Sequence, residues 1–189
     1  MDIFTLVKLP DFFTLGSVAC GIFSIISAYR GNFALAAILL LAAAFLDWLD
    51  GEVAGLIKRQ GLFGAELDSL ADVISFGVAP IFFAYFMGLN DILSIIILIL
   101  FTCASVLRLA RFNVIKIKSF FYIGMPTTAN AILLPLLYLG LSLANMPWGI
   151  SRWIYLVYFL VSAILMDSTV PIPTFKIFNT FEGRTLFKH

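Results

Sequence analysis

Long apolar runs, separated by short polar turns, occupy most of the chain. Each run has about the 20 residues that an α-helix needs to cross the hydrocarbon core of a bilayer. The runs predict six transmembrane helices, at 12–29, 32–58, 64–88, 92–112, 126–144 and 152–170. We therefore predict an all-α polytopic membrane protein, a single membrane-embedded domain over residues 1–189. Within it, residues 1–10 would form a short interfacial helix and residues 171–189 a cytoplasmic tail.

The composition supports this interpretation and excludes several functions. Hydrophobic residues make up 62% of the chain, and its mean hydropathy is +1.06, which is far from the values of soluble domains. The net charge of +1 offers no basic field for nucleic acid, so we expect no nucleic-acid partner. His189, Cys20 and Cys103 are too few for a zinc site of His and Cys ligands or for a Ser-His-Asp triad. Both cysteines lie in apolar runs and are interpreted as packing residues.

The basic residues predict the orientation in the membrane. With a cytoplasmic N-terminus, ten of the 12 Lys and Arg residues lie on the cytoplasmic side, and only Arg30 and Arg152 lie outside. Since cytoplasmic loops carry an excess of basic residues, we expect both termini on the cytoplasmic side of the cytoplasmic membrane. The number of spans is then even, and six fits the apolar runs better than four.

Acidic residues are concentrated in one part of the chain. Six of the 11 Asp and Glu residues lie between positions 47 and 72, on both sides of the turn that joins the second and third spans. Asp47 and Asp50 are three residues apart, and Asp68 and Asp72 are four apart, so each pair shares one helix face. Antiparallel packing would bring the four carboxylates together. Their apolar neighbours favour a buried cluster over the alternative, a solvated acidic loop.

Such a cluster requires a cation, because ionised carboxylates repel one another and are costly to bury in a membrane. All available ligands are hard oxygens, which favours Mg²⁺ or Mn²⁺ over zinc. Two such ions can clamp a diphosphate and stabilise in-line displacement at phosphorus. Gly51, Ala54 and Gly64 lie beside the acids, where small residues leave room for a ligand, although they also permit tight helix packing.

These residues form a longer pattern that resembles the signature of the CDP-alcohol phosphatidyltransferases. The pattern is Asp47-x2-Asp50-Gly51-x2-Ala54-Gly55-x8-Gly64-x3-Asp68-x3-Asp72. The family has Arg at the position of Gly55, and Lys58 or Arg59, one turn later, could replace that Arg. Near the N-terminus, Leu9 to Leu15 is similar to the family's opening segment, with Asp11 where Asn is usual.

Other segments resemble the branch of this family that uses L-serine: residues 63–80, Arg108-Leu109-Ala110-Arg111-Phe112-Asn113 and Gly124-Met125-Pro126. The resemblance implies a six-span enzyme, usually a homodimer in the lipid membrane, that transfers a phosphatidyl group from CDP-diacylglycerol to L-serine and releases CMP. It also implies the roles of individual residues. Asp47, Asp50, Asp68 and Asp72 would bind two divalent cations, Asp72 would also be the general base, and Gly51, Ala54 and Gly64 would shape the nucleotide pocket.

Arg108 and Arg111 are candidates for binding the serine carboxylate. They lie three residues apart at the predicted cytoplasmic end of the fourth span, where a guanidinium can bind a carboxylate or a lipid phosphate. The alternative is simple anchoring at the membrane surface. Lys116 and Lys118 are expected to contact anionic headgroups. The same pocket could include Asn113, Thr127, Thr128 and Asn130.

Two other functions are alternatives to this one. A transferase of the same family that uses glycerol phosphate or inositol is the nearer alternative, and the segment from Glu66 to Pro80 argues against it. An ion-coupled transporter would also place Asp residues within a membrane. Transporters, however, tend to have internal repeats and midplane sites, whereas this acidic cluster lies toward one face and the chain has no repeat.

Overall fold

The computed structural model describes residues 7–57, 62–114, 121–168 and 171–173. Its α-helices are α1 (Leu9–Tyr29), α2 (Phe33–Ile57), α3 (Leu62–Asp72), α4 (Ala79–Met87), α5 (Ile92–Val114), α6 (Thr127–Leu143) and α7 (Trp148–Asp167). A π-helical segment, Val73–Val78, joins α3 to α4. Two strands of three residues, β1 (Phe121–Ile123) and β2 (Pro171–Pro173), pair antiparallel.

The predicted helical membrane fold is confirmed. Among the described residues, five helical stretches are long and apolar enough to cross a membrane: α1, α2, the α3 to α4 unit, α5 and α7. Helix α6, with 17 residues, is shorter and lies at the lower limit for a span. The protein is therefore a multi-pass membrane protein, and its described residues contain six apolar helical stretches.

Some predicted boundaries differ from the structure. Helix α1 begins at Leu9, so the last two residues of the predicted interfacial segment belong to the first membrane helix. Pro10 favours this start because a proline in the first turn lacks only an N–H that would have no helical partner. Helix α7 begins at Trp148 rather than at 152, directly after the extended Pro147. Residues 1–6 and 174–189 of the predicted interfacial helix and tail lie outside the described residues.

Helix α1 packs against α2, α3, the π-helical segment and α4. Its buried face carries small or polar residues at helical spacing: Asp11, Thr14, Ser17, Gly21 and Ser24. The Ser24 hydroxyl donates to the carbonyl of Ala36 on α2 (2.8 Å). The Ser17 hydroxyl donates to the side-chain hydroxyl of Ser75 (3.3 Å). Small residues allow helices in a membrane to approach closely and to form hydrogen bonds across the contact. Helix α1 thus holds α2 and α3 in place.

The π-helical segment follows Asp72 directly. The Ala79 amide donates to the carbonyl of Ile74, five residues earlier. The next residue, Pro80, has no N–H, and its ring would collide with the carbonyl four residues earlier in a regular α-helix. The wider π turn relieves this conflict. The third apolar stretch, predicted over 64–88, therefore continues past Pro80 by a change of helix type.

The N-terminal end of α5 contacts α7 through charged and polar side chains. Asp91, just before α5, accepts a hydrogen bond from the Ser94 hydroxyl and pairs with Arg152 of α7 at 2.8 Å. The Ser94 hydroxyl, with a smaller contribution from Arg152, lowers the pKa of Asp91 below its ordinary value. Between α5 and α7, Phe101 packs edge to face on Phe159, with ring centroids 5.0 Å apart. These contacts fix α5, whose other end carries Arg108.

The close contact of α1 with the π-helical segment can be tested at Gly21. A Cβ added there would lie 3.0 Å from the Cα of Ser75, so we expect Gly21→Ala to force the helices apart and to destabilise the protein by about 1–3 kcal/mol. The measurement is thermal unfolding in detergent. Gly140→Ala is the matched control, because a Cβ at this helical glycine meets nothing within 4 Å. Equal unfolding temperatures for the two variants would contradict the tight contact.

Candidate active site

The four acidic residues singled out in the sequence converge in the structure. Helix α2 supplies Asp47 and Asp50, and α3 supplies Asp68 and Asp72. Carboxylate oxygens of Asp47, Asp50 and Asp68 all lie within 4.8 Å of one another. The side chains of Asp47 and Asp72 lie within hydrogen-bonding distance of each other. One compact cluster of four carboxylates therefore joins the two helices.

The chemistry of this cluster fits a divalent cation. Ionised carboxylates at such distances repel one another, so a cation or a proton must lie between them. Oδ1 of Asp72 is buried and accepts no hydrogen bond from any described residue, which is unusual for a buried polar atom unless an ion or water occupies the site. Because every ligand atom is a carboxylate oxygen, the set suits a hard cation.

Helix α1 supports the cluster with two residues that the sequence had not assigned to the site: Thr14, and Asp11, which enters the sequence pattern only as a departure from the family's opening segment. The Thr14 hydroxyl donates to Oδ2 of Asp50 at 2.6 Å in a buried contact. Asp11, only 5% exposed, accepts the main-chain N–H of Lys8 (2.7 Å) and lies close enough to Asp50 to repel it. The signal in the sequence was the recurrence of polar residues every three positions, Asp11, Thr14 and Ser17, within an apolar span.

The small residues near the cluster fall into two groups. A Cβ at Gly51 or Gly55 would meet nothing within 4 Å, and the two positions are four residues apart on one open face of α2. An Arg in place of Gly55 would have room on this face. At Gly64, by contrast, a Cβ would lie 3.2 Å from Oδ1 of Asp11. Ala54 is half-buried, and Lys58 and Arg59 lie outside the described residues.

Arg108 lies next to the acidic cluster. It is 7% exposed, and its Nη1 donates to the Thr127 hydroxyl (3.3 Å). That hydroxyl donates in turn to Oδ2 of Asp72 (3.3 Å). Arg108 is thus connected to Asp72, a predicted metal ligand, through the side chain of Thr127.

Arg111 has a different setting. Its guanidinium donates to the carbonyls of Met166 (2.9 Å) and Asp167 (3.3 Å), the last residues of α7. A cation at this position suits the carbonyls at a helix C-terminus. Gly124, in a turn with φ +81, lies against the same contact: a Cβ there would be 2.5 Å from the Met166 carbonyl oxygen and 3.0 Å from Nη2 of Arg111. Arg111 therefore contacts the end of α7, although it is only three residues from Arg108.

The remaining candidates of the predicted pocket are dispersed. Asn113 accepts a hydrogen bond from Ser69 of α3 (3.1 Å), and Asn130 accepts one from Tyr158 of α7 (3.0 Å). Thr128 is half-buried near the start of α6. Lys116 and Lys118, expected to contact lipid headgroups, lie outside the described residues.

Comparison with known proteins places this site in a known context. The model of the CDP-alcohol phosphatidyltransferase family matches residues 7–167. A Helicobacter pylori protein named CDP-diacylglycerol–serine O-phosphatidyltransferase is 38% identical over 180 residues, which cover 93% of this chain and 76% of that protein. Proteins of the same name from Saccharomyces cerevisiae and Bacillus subtilis are 35% and 34% identical. The alignments cover 88% and 62% of this chain, and 71% and 68% of those proteins.

The matched region contains all four clustered carboxylates, Arg108 and the helices that position them. The resemblance seen in the sequence signature is confirmed by this match. The chain belongs to the CDP-alcohol phosphatidyltransferase family.

Proposed function

We propose that the protein transfers the phosphatidyl group of CDP-diacylglycerol to the hydroxyl of L-serine and releases CMP, which is CDP-diacylglycerol–serine O-phosphatidyltransferase activity. The observation that carries this proposal is the four-carboxylate cluster with Arg108 connected to Asp72 through Thr127. Relatives that bear the name of this activity support the choice of substrates.

Asp47, Asp50, Asp68 and Asp72 would hold two divalent cations, Mg²⁺ or Mn²⁺. When bound, these ions would supply positive charge to neutralise the diphosphate and the departing CMP. The fit rests on the donor set: hard oxygens only, and an Asp72 oxygen without a hydrogen-bond donor among the described residues.

The protein's own residues would carry the proton and orient the substrates. Asp72 takes the proton of the serine hydroxyl as the serine oxygen bonds to the lipid-linked phosphorus, and the bond from that phosphorus to the bridging oxygen of the CMP group breaks. Arg108 binds the serine carboxylate. Gly51, Ala54 and Gly64 shape the pocket for the nucleotide, and the open face at Gly51 and Gly55 leaves space for it.

The membrane setting suits substrates from two phases. The lipid tails of CDP-diacylglycerol would remain among the apolar helices, while serine would enter from water. We place both termini and the site on the cytoplasmic side, because the basic residues favour that orientation. We also expect the protein to form a homodimer in the lipid membrane.

Substrate specificity tests the proposed function directly. Protein purified in detergent is incubated with CDP-diacylglycerol, Mn²⁺ or Mg²⁺, and L-serine, glycerol 3-phosphate or inositol, and CMP release is measured. We expect release with L-serine, its loss on addition of a chelator and its recovery with Mg²⁺ or Mn²⁺. Release only with another alcohol would reassign the substrate within the family. Recovery with zinc alone would contradict the argument from oxygen ligands.

Each clustered carboxylate should be required for activity. We expect Asp47→Asn, Asp50→Asn, Asp68→Asn and Asp72→Asn each to lower CMP release by at least roughly 100-fold, since losing even an outer-shell partner of a metal ligand costs about 10–100-fold. Asp91→Asn, at the opposite end of α5, is the control and should retain activity. Near-normal activity in any two of the four variants would exclude the two-ion site.

Arg108 and Arg111 should respond differently to conservative substitution. Arg108→Lys keeps the charge but loses the guanidinium geometry, so we expect the KM for serine to rise roughly tenfold or more while the KM for CDP-diacylglycerol changes little. The Arg111 guanidinium donates to main-chain carbonyls of α7, so Arg111→Lys should lower the unfolding temperature and alter both KM values equally. Equal changes of both KM values in Arg108→Lys would remove Arg108 from the serine site.

A further inference from the structure

The Thr127 hydroxyl lies between the two side chains on which the proposed reaction depends. Thr127 is the first residue of α6 and only 1% exposed. Its Oγ1 is 3.3 Å from Nη1 of Arg108 and 3.3 Å from Oδ2 of Asp72. Three helices, α3, α5 and α6, therefore meet at a single hydroxyl group.

The direction of these two hydrogen bonds follows from the chemistry of the groups. A guanidinium only donates, an ionised carboxylate only accepts, and a hydroxyl has one hydrogen to give. Thr127 must therefore accept from Arg108 and donate to Asp72. A methyl group in place of the hydroxyl would break both hydrogen bonds at once.

The backbone around Thr127 holds this hydroxyl in place. Pro126 precedes the helix in an extended conformation (φ −65, ψ 142), and the Met125 amide donates to the carbonyl of Leu165 on α7 (3.1 Å). The branched Cβ of threonine restricts its χ1 rotamers further. The position of the hydroxyl is thus set by the turn before α6 and by α7.

We infer that Thr127 is a positioning residue for the phosphatidyl transfer, and this inference rests on the proposed function. The carboxyl group of aspartate rotates in a broad energy well about its last bond, so Asp72 requires a partner to orient it. Thr127 fixes Oδ2 and leaves Oδ1, which accepts no hydrogen bond from the described residues, available to hold a cation or to accept from the substrate hydroxyl. The same hydroxyl also holds Arg108 at a set distance from Asp72. One serine molecule requires this, because its carboxylate would bind Arg108 while its hydroxyl gives its proton to Asp72.

Thr127→Val and Thr127→Ser test this role. Valine keeps the shape and removes the hydroxyl, so we expect kcat to fall about 10–100-fold, the usual cost of losing an outer-shell partner, while the KM for CDP-diacylglycerol stays within about twofold. Serine restores the hydroxyl and should recover most of kcat. Thr102→Val is the matched control and should not change kcat, because that hydroxyl donates to the Leu98 carbonyl within α5 (3.0 Å).

A second measurement does not depend on transferase activity. Titration with Mn²⁺ alone should raise the unfolding temperature of the unmodified protein. Thr127→Val should require roughly tenfold more Mn²⁺ for the same stabilisation, and Thr127→Ser and Thr102→Val should not. Normal kcat and normal Mn²⁺ dependence in Thr127→Val would overturn the inference. It would also be overturned if kcat fell in Thr127→Val and did not recover in Thr127→Ser. Failure of the proposed function would instead appear in the unmodified protein, as the absence of CMP release with L-serine.

Discussion

Repulsion among four carboxylates, of which Asp50 is buried and the other three are half-buried, is the constraint on which the rest of this structure depends. Asp47, Asp50 and Asp68 have oxygens within 4.8 Å of one another, and Asp72 lies beside Asp47. Bringing these groups together in a membrane protein opposes folding, because desolvation and mutual repulsion both destabilise the ionised forms. A bound cation turns the same geometry into a favourable interaction. The acidic pairs on α2 and α3 are thus a cost to stability that the proposed binding of divalent cations would offset.

The surrounding helices reduce that cost in ways that also organise the site. The Thr14 hydroxyl of α1 donates a hydrogen bond to Asp50, and the Thr127 hydroxyl of α6 donates one to Asp72. Both hydroxyls donate to carboxylates without adding charge, whereas Arg108 supplies the nearby positive charge. The small residues of α1 allow this helix to pack against α2 and α3 together. Packing and electrostatics therefore act through the same close helix contacts.

Much of this arrangement could be predicted from the sequence, because helix period and hydrophobic length are local properties. They placed the six apolar stretches and put Asp47 with Asp50, and Asp68 with Asp72, on shared faces. Contacts between distant segments were not predictable in this way: Thr14 and Asp50 are separated by 36 positions. Sequence spacing also did not predict that Arg108 and Arg111 have different surroundings. Arg108 contacts α6 and Arg111 contacts the end of α7, both of which are distant in the sequence.

The π-helical segment shows how one helix serves both a polar site and an apolar core. Asp68 and Asp72 lie before the π-helical segment Val73–Val78, and the fully buried Phe83 lies after it. Had the helix continued in regular α geometry, the ring of Pro80 would have met a carbonyl in the turn just beyond Asp72. The π turn absorbs this conflict over six residues. The backbone of α3 thus keeps its α-helical spacing, on which the common face of Asp68 and Asp72 depends.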